Sequence, residues 1–220
     1  ERRYFTAGTG TCVFEAGEGD ARVRVGLVIC EDAWYDEPAR LAREQGAQML
    51  AVINASPFHV GKGYEREQIM RERVLACGLP MVYAHLVGGQ DELVFEGHSF
   101  ALNGDGALAG RALSFQEQLF DVCAQTAGGA VHLTADIAPA READADLWDA
   151  LVLGVRDYLG KNGFPGALLG LSGGIDSALV LAIAVDALGA DNVRTVMMPS
   201  PYTADISWQD AREMAKRLGV

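Results

Sequence analysis

One glycine-rich stretch in the last third of the chain constrains the fold more than any other feature. Residues 170–177 lie between an apolar run of strand length, 167–171, and an apolar-striped helical pattern, 178–188. A second buried strand is predicted over 193–198 and a further helix over 207–218, with Ser207 and Asp210 in capping-box positions. Strand, helix and strand in this order form a right-handed parallel unit, which predicts an α/β domain in this part of the chain.

The glycine-rich stretch has the composition of an anion-binding loop. A loop that follows a parallel strand and opens a helix points free backbone N–H groups and the positive end of the helix dipole at one spot. Gly173 and Gly174 let an anion approach the backbone, and the hydroxyls of Ser172 and Ser177 add donors. The stretch has neither the lysine of a Walker A loop nor the spacing of a dinucleotide fingerprint.

We therefore predict a nucleotide-phosphate site formed by Gly170, Leu171, Ser172, Gly173, Gly174, Ile175, Asp176 and Ser177. The Asp176 carboxylate suits a Mg²⁺ ion carried by a triphosphate, so it is also the predicted metal ligand. The alternative for this stretch is a plain glycine turn in which Asp176 caps the helix.

The first 134 residues show a different pattern, in which apolar runs of strand length outnumber helical stretches. Several of these runs are apolar throughout, which predicts a sheet that is covered on both faces. The predicted strands are 23–29, 49–53, 81–87, 99–102 and 107–112, and the predicted helices are 38–45 and 65–77, the latter ending at Gly78.

The first of these strands leads directly into Cys30, which is followed by Glu31 and Asp32. A cysteine at the end of a buried strand is often only a small core residue, and that alternative stays open. However, two consecutive carboxylates cannot continue a buried strand. Cys30 is therefore predicted to stand at a sheet edge, where its thiol could meet a substrate.

The composition excludes several classes of protein and several kinds of site. The formal net charge is −12, with only 18 Lys and Arg residues, so a nucleic-acid partner is not expected. The chain has no apolar run long enough for a membrane span. The four cysteines and four histidines, His85 among them, share no metal-ligand spacing. Irregularly spaced cysteines of this kind indicate reduced thiols and a cytoplasmic location.

The motif Ser-Gly-Gly-Ile-Asp-Ser at 172–177 resembles the pyrophosphate loop of the N-type ATP pyrophosphatases. These enzymes adenylate a carboxylate or carbonyl oxygen and then let a nitrogen nucleophile displace AMP. GMP synthetases, asparagine synthetases and tRNA-modifying enzymes share this loop. The surrounding segments resemble the NAD synthetases over 147–220, and the matching residues are 156–158, 161–164, 186–189 and 198–203.

The segment around Cys30 resembles the nucleophile elbow of the nitrilase superfamily, which hydrolyses amides and nitriles through a Glu, Lys and Cys triad. Segments 54–58, 61–62, 71–73 and 87–100 resemble the glutaminase domain of glutamine-dependent NAD synthetases. This resemblance implies that Cys30 forms the glutamyl thioester and that Ser56 and Lys62 hold glutamine. A solvated loop lysine is the alternative for Lys62.

The family's catalytic Glu and Lys both precede the cysteine, whereas residues 1–29 contain no lysine. We therefore expect both triad partners to precede residue 1, which would leave residues 1–220 incomplete for catalysis. The resemblance implies a nitrilase-like α-β-β-α sandwich at 1–134 that lacks its N-terminal part, and a linker at 135–146. It also implies the start of a Rossmann-like, parallel-sheet ATP pyrophosphatase domain at 147–220 that lacks its C-terminal part.

The two resemblances together imply a ligase that hydrolyses glutamine to ammonia and uses ATP to amidate deamido-NAD to NAD, releasing AMP and pyrophosphate. Its cofactors would be ATP and Mg²⁺, and the subunits would form a homo-oligomer. Two alternatives stay open. One is another glutamine amidotransferase with the same loop, such as a GMP synthetase, and the other is a nucleotide-binding chain without catalysis.

Overall fold

The computed structural model describes Tyr4, Thr6, Gly8 and residues 10–220, which form two compact units. The first unit comprises Glu1–Val87 and Phe95–Arg141, and the second comprises Gly88–Val94 and Glu142–Val220. The predicted domain boundaries at 134 and 147 stay a prediction. None of the helices in the described part has the length and hydropathy that a membrane crossing requires.

Ten strands, two α-helices and two short 3₁₀ helices lie in the described part of the chain as far as residue 134. The strands are β1 (Cys12–Ala16), β2 (Val23–Ile29), β3 (Met49–Asn54), β4 (Met81–His85), β5 (Val87–Gln90), β6 (Leu93–Glu96), β7 (Phe100–Leu102), β8 (Leu108–Arg111), β9 (Cys123–Ala127) and β10 (Ala130–Thr134). The helices are α1 (Asp36–Glu44) and α2 (Lys62–Cys77).

The first unit is built on a six-stranded sheet in the order β1-β2-β3-β4-β7-β8. The central strands β2, β3 and β4 run parallel, so their carboxyl ends meet at one edge. Successive side chains of a strand point to opposite faces. One face packs against α1 and α2, and its core includes Val28, Val52 and Tyr83. The other face includes Val25 and Met49 and packs against β10.

The strongest apolar patterns of the first unit are confirmed, and the differences lie at their ends. The strand over 23–29 is β2, and α2 ends at Gly78, whose φ of +67° suits a glycine. Helix α2 begins three residues earlier than predicted, at Lys62. The single strand predicted over 81–87 is wrong, because the chain leaves the sheet after His85 and enters the β5–β6 hairpin.

The second unit contains the predicted strand, helix and strand, and the parallel pairing is confirmed. Strands β11 (Ala167–Gly170) and β12 (Val193–Val196) pair in parallel, and helices α3 (Ala143–Lys161), α4 (Ile175–Leu188) and α5 (Asp205–Leu218) accompany them. The core consists of Leu171, Leu181, Ala184, Val193 and Ala211, with partly buried neighbours.

Two predictions for the second unit are wrong in detail. Strand β11 is not fully buried, since Leu168 is 71% exposed on the face that points away from the core. The predicted capping box is absent, because α5 already begins at Asp205 with Ala204 at its N-cap. A turn lies directly before this helix, and in it the Ser200 N–H donates to Thr203 Oγ1 at 2.8 Å.

Candidate active site

Cys30 lies at the carboxyl end of β2, where the strand gives way to a 3₁₀ turn over Cys30–Trp34. Asn54 pairs with His85 in the register of β3 and β4, and Ile29 pairs with the residue before Asn54. Cys30, Asn54 and His85 therefore lie level with one another at the same sheet edge. The structure places the predicted nucleophile where the sequence predicts it, and its catalytic role stays a prediction.

The backbone at Cys30 is strained. Its φ of +49° lies in the left-handed region, which residues other than glycine rarely adopt. Such a conformation costs about 1–3 kcal/mol and persists only where the surrounding structure holds it, which occurs mostly at functional sites. The residue is also partly exposed. A core cysteine would need neither the strain nor the exposure.

Ser56 follows β3 and contacts the end of β4. The Asn54 side-chain amide donates to Ser56 Oγ at 3.0 Å. His85 Nε2 lies 3.1 Å from the Ser56 carbonyl oxygen and 3.3 Å from the Ser56 nitrogen. Burial and the nearby Arg66 guanidinium lower the pKa of His85 to about 4, so the ring is neutral at pH 7. Ser56 is thus fixed by two neighbours at the edge that carries Cys30.

Sequence analysis missed Asn54 and His85 as members of this site, because His85 had no metal-ligand spacing to single it out. A signal was present for Asn54, which directly follows the predicted strand 49–53, and the rule that the carboxyl ends of parallel strands meet at one edge would have placed it near Cys30. His85 lies inside the run predicted as the strand 81–87, and only the structure shows that it ends β4.

Lys62 is the first residue of α2, and its side chain is 18% exposed. Its ammonium lies 3.1 Å from the Glu65 carboxylate and 4.4 Å from the centre of the Trp34 ring. The alternative of a solvated loop lysine is therefore wrong. Because Trp34 belongs to the turn that starts at Cys30, the structure brings Lys62 next to that turn.

A buried polar cluster lies on the helix-covered face near the same edge. Arg66 is fully buried and donates from Nη2 to Glu96 Oε1 at 2.8 Å. Burial raises the pKa of Tyr83, and the electrostatic effects of Cys30 and Glu96 add to this while that of Arg66 opposes it. Within the described residues, six buried atoms have no hydrogen-bond partner: Asn54 Oδ1, Arg66 Nε and Nη1, Tyr83 OH, His85 Nδ1 and Glu96 Oε2. Unpaired polar atoms at this density indicate a place for water or a polar ligand.

The glycine-rich loop of the second unit is held by its own hydroxyl groups. Gly173 has a φ of +83°, and a Cβ at this position would lie 2.3 Å from the Ser207 carbonyl oxygen, so only glycine fits. Ser177 Oγ donates to the Gly174 carbonyl oxygen at 2.9 Å and lies 3.1 Å from Ser172 Oγ. Both predicted hydroxyl donors are therefore engaged within the loop.

Helix α4 begins at Ile175 with Gly174 at its N-cap, and no side chain caps it. The alternative in which Asp176 caps the helix is therefore wrong. Helix geometry leaves the N–H groups of residues 175–177 without an intrahelical acceptor, and they face the loop. The exposed Asp176 carboxylate stands in this first turn.

A metal held by Asp176 would take most of its ligands from the nucleotide. In the part of the chain that the structure describes, no group of three His, Cys, Asp or Glu side chains could hold a metal ion. Mg²⁺ is commonly bound through one or two carboxylates together with phosphate oxygens and waters. Asp176, beside a loop that is predicted to bind phosphate, fits that pattern.

A crevice opens at the carboxyl ends of β11 and β12, where ligands of open α/β sheets bind. Its volume is about 230 Å³, and it is lined by Gly170, Leu171, Ser172, Val196, Met197, Met198, Pro199 and Thr203. A second cavity of about 380 Å³ lies between the loop and α5. Sequence analysis predicted the loop but not the contribution of residues 196–203.

Comparison with known families agrees with this geometry. The carbon-nitrogen hydrolase family matches residues 1–129, which is more than half of the chain. The chain belongs to the carbon-nitrogen hydrolase family. The NAD synthase family also matches residues 147–220. The first match contains Cys30, Asn54 and His85 at the carboxyl ends of β2, β3 and β4, and the second contains the glycine-rich loop. The α/β fold class is confirmed.

Individual relatives match both parts at once. The glutamine-dependent NAD(+) synthetase of Acinetobacter baylyi is 44% identical over 225 residues, a match that covers 100% of this chain and 40% of the relative. That of Rhodobacter capsulatus is 46% identical over 200 residues, covering 90% of this chain and 36% of the relative. The structure of glutamine-dependent NAD+ synthetase from Acinetobacter baumannii in complex with ADP matches with a TM-score of 0.91 and 43% identity. That match covers 100% of this chain and 41% of the other, so the chain spans about two fifths of the length of these relatives.

Proposed function

We propose that this chain carries the glutaminase nucleophile and the ATP-binding loop of a glutamine-dependent NAD synthetase. The observation that carries the proposal is the similarity to such synthetases along the whole chain, at 44% identity in sequence and with a TM-score of 0.91 in structure. The reaction would hydrolyse glutamine to ammonia and use ATP to amidate deamido-NAD to NAD, releasing AMP and pyrophosphate.

The alternatives are less well supported. A GMP synthetase would pair the same loop with a glutaminase of another fold, whereas residues 1–129 match the carbon-nitrogen hydrolases. A nucleotide-binding chain without catalysis would have no use for a strained, accessible cysteine at the edge of a parallel sheet.

The glutaminase half-reaction would proceed at Cys30. Its thiolate attacks the amide carbon of glutamine, the carbon–nitrogen bond breaks, and ammonia leaves after taking up a proton. Water then hydrolyses the thioester to glutamate and restores the thiol. The backbone N–H of Glu31 would stabilise the oxyanion. Ser56 and Lys62 would hold the substrate, because both lie close to the Cys30 edge and Lys62 packs over the Trp34 ring.

The synthetase half-reaction would proceed at the glycine-rich loop. The deamido-NAD carboxylate attacks the α-phosphorus of ATP and pyrophosphate leaves, after which ammonia displaces AMP. The free N–H groups at the start of α4 would bind the departing pyrophosphate. Asp176 would hold Mg²⁺, which neutralises phosphate charge when bound. The loop conformation that Gly173 permits keeps these donors in place.

Other features of the protein remain proposals with weaker support. We propose domains at 1–134 and 147–220 joined by residues 135–146. The family matches, which end at 129 and begin again at 147, support this division. A cytoplasmic location fits the four cysteines, all of which are free. A homo-oligomer rests on the resemblance alone.

Product analysis on the full-length protein tests the proposed function. With glutamine, ATP and deamido-NAD, we expect equimolar NAD, AMP, pyrophosphate and glutamate, because adenylation cleaves ATP between its α- and β-phosphates. Ammonium salts should replace glutamine and remove only the glutamate. Formation of ADP and phosphate, or failure to form NAD with either nitrogen donor, would contradict the proposal.

A further inference from the structure

The turn that carries Cys30 needs support from outside itself. Cys30 begins the 3₁₀ turn Cys30–Trp34 with a φ of +49°. A residue in that conformation stays there only when its neighbours hold it. The last carbonyl groups of a helical turn also lack partners within the turn and need donors from elsewhere.

Arg73, in the second half of α2, supplies those donors. Its Nε donates to the Ala33 carbonyl oxygen at 3.3 Å, and its Nη2 donates to the Trp34 carbonyl oxygen at 2.9 Å. Its Nη1 pairs with the carboxylate of Asp36, just beyond the turn. The Arg73 side chain is only 12% exposed. All three guanidinium nitrogens are therefore used on the turn and its exit.

Helix α2 holds the same turn at a second point. Lys62, at the start of the helix, lies over the Trp34 ring, and Ala33 is 2% exposed. The end of the turn is thus fixed to α2 through backbone, ring and packing contacts. Because Cys30 precedes Ala33 by only three residues, movement of the turn would also move the thiol and the Glu31 N–H.

We propose that Arg73 is a positioning residue for the glutaminase step, which holds the Cys30 turn in its strained, reactive conformation. The inference rests on the proposed function. Segment 71–73 is part of the family resemblance, but that resemblance implies no role for Arg73. A planar guanidinium with several fixed donors can bind two carbonyl oxygens and a carboxylate together, whereas an ammonium is a point charge. Lysine at position 73 should therefore substitute poorly.

The test compares Arg73→Met and Arg73→Lys with Arg43→Met in the full-length protein. Arg43 is a matched control, because its Nη1 donates to the Cys77 carbonyl oxygen at 2.7 Å and leaves the turn untouched. We expect Arg73→Met to lower kcat for glutamine hydrolysis by about 10- to 100-fold, the effect of misplacing a reacting group by about 1 Å. The KM for glutamine should stay near its wild-type value. The rate of ammonia-driven synthesis should also stay near that of the wild type.

Arg73→Lys should also lose most of the glutaminase activity, and added guanidinium ions should restore part of it in Arg73→Met. Arg43→Met should keep the wild-type ratio of glutamine-driven to ammonia-driven synthesis even if its Tm falls. If Arg73→Met does not fold, the glutaminase activity of Arg73→Lys is measured instead, provided that this variant has a normal Tm. Equal loss with both nitrogen donors, or a higher KM with unchanged kcat, would overturn the positioning role.

Failure of the proposed function has a different signature. If Cys30→Ala leaves glutamine-driven synthesis intact, the glutaminase assignment fails. The kcat values of the Arg73 variants then no longer report on the Cys30 turn. The rate at which iodoacetamide alkylates Cys30 still reports the geometry of the turn without assuming any reaction. That rate should differ from the wild type in Arg73→Met and match it in Arg43→Met. Unchanged alkylation in both variants would overturn the inference by itself.

Discussion

Cys30→Ala in the full-length protein is expected to abolish glutamine-driven NAD formation while ammonia-driven formation stays within about twofold of wild type. Removing the nucleophile of a covalent mechanism costs at least about 10³-fold in rate. The synthetase half-reaction does not use the thiol, so supplied ammonia bypasses the loss. The measurement is NAD formation in parallel assays with glutamine and with ammonium salts.

A matched control for this variant is Cys123→Ala. Cys123 is an exposed cysteine at the start of β9, in a strand whose residues are all exposed. It should behave as wild type with both donors. Equal loss with glutamine and ammonia in Cys30→Ala would mean that Cys30 only supports the fold, and its strained backbone would then need another explanation.

Asp176→Asn is expected to lower synthesis with both nitrogen donors by at least about 100-fold, because adenylation precedes the use of ammonia from either source. Asparagine keeps the shape of the side chain but removes the charge that would hold Mg²⁺, and a bound metal contributes several kcal/mol to charge stabilisation. Gly174 is the N-cap of α4, so loss of a capping side chain cannot explain a large effect. The measurement is pyrophosphate release from ATP and deamido-NAD at saturating Mg²⁺, together with a melting curve.

Asp144→Asn controls for the helix dipole in that experiment. Asp144 is also an exposed acidic residue in the first turn of a helix, α3, and its neutralisation should change Tm slightly and the rate not at all. A lost rate in Asp176→Asn with normal melting supports the metal role. A rate equal to that of Asp144→Asn would remove Asp176 from the metal site.

The sequence predicted best where local pattern and tertiary structure agree. The run over 23–29 is apolar except for Arg24 and is β2 in the structure, because helices cover one face of its sheet and β10 covers the other. The end of α2 at Gly78 follows from a left-handed residue that favours glycine. The loop at 170–177 was predictable because glycine spacing, strand and helix all point to the same geometry.

The remaining features depend on contacts between distant residues. The exposure of Leu168 is decided by which face of β11 meets the core, which its apolar side chain does not reveal. The early start of α5 depends on the hydrogen bond between Ser200 and Thr203. Arg73 lies next to Glu72 in a charged stretch of the sequence, yet in the structure it bonds to carbonyl groups about 40 residues away. Periodicity reports burial, but it does not report the partners of a buried polar group.

The most direct test of the account is the fate of the glutamine amide nitrogen. The full-length protein is supplied with glutamine labelled with ¹⁵N at the amide, ATP, deamido-NAD and unlabelled ammonium below its own KM, and the NAD carboxamide is analysed by mass spectrometry. We expect ¹⁵N to predominate in NAD made by the wild type and to be absent from NAD made by Cys30→Ala. Wild-type NAD without ¹⁵N, or label that persists in Cys30→Ala, would contradict a glutaminase at Cys30 that feeds synthesis at the glycine-rich loop.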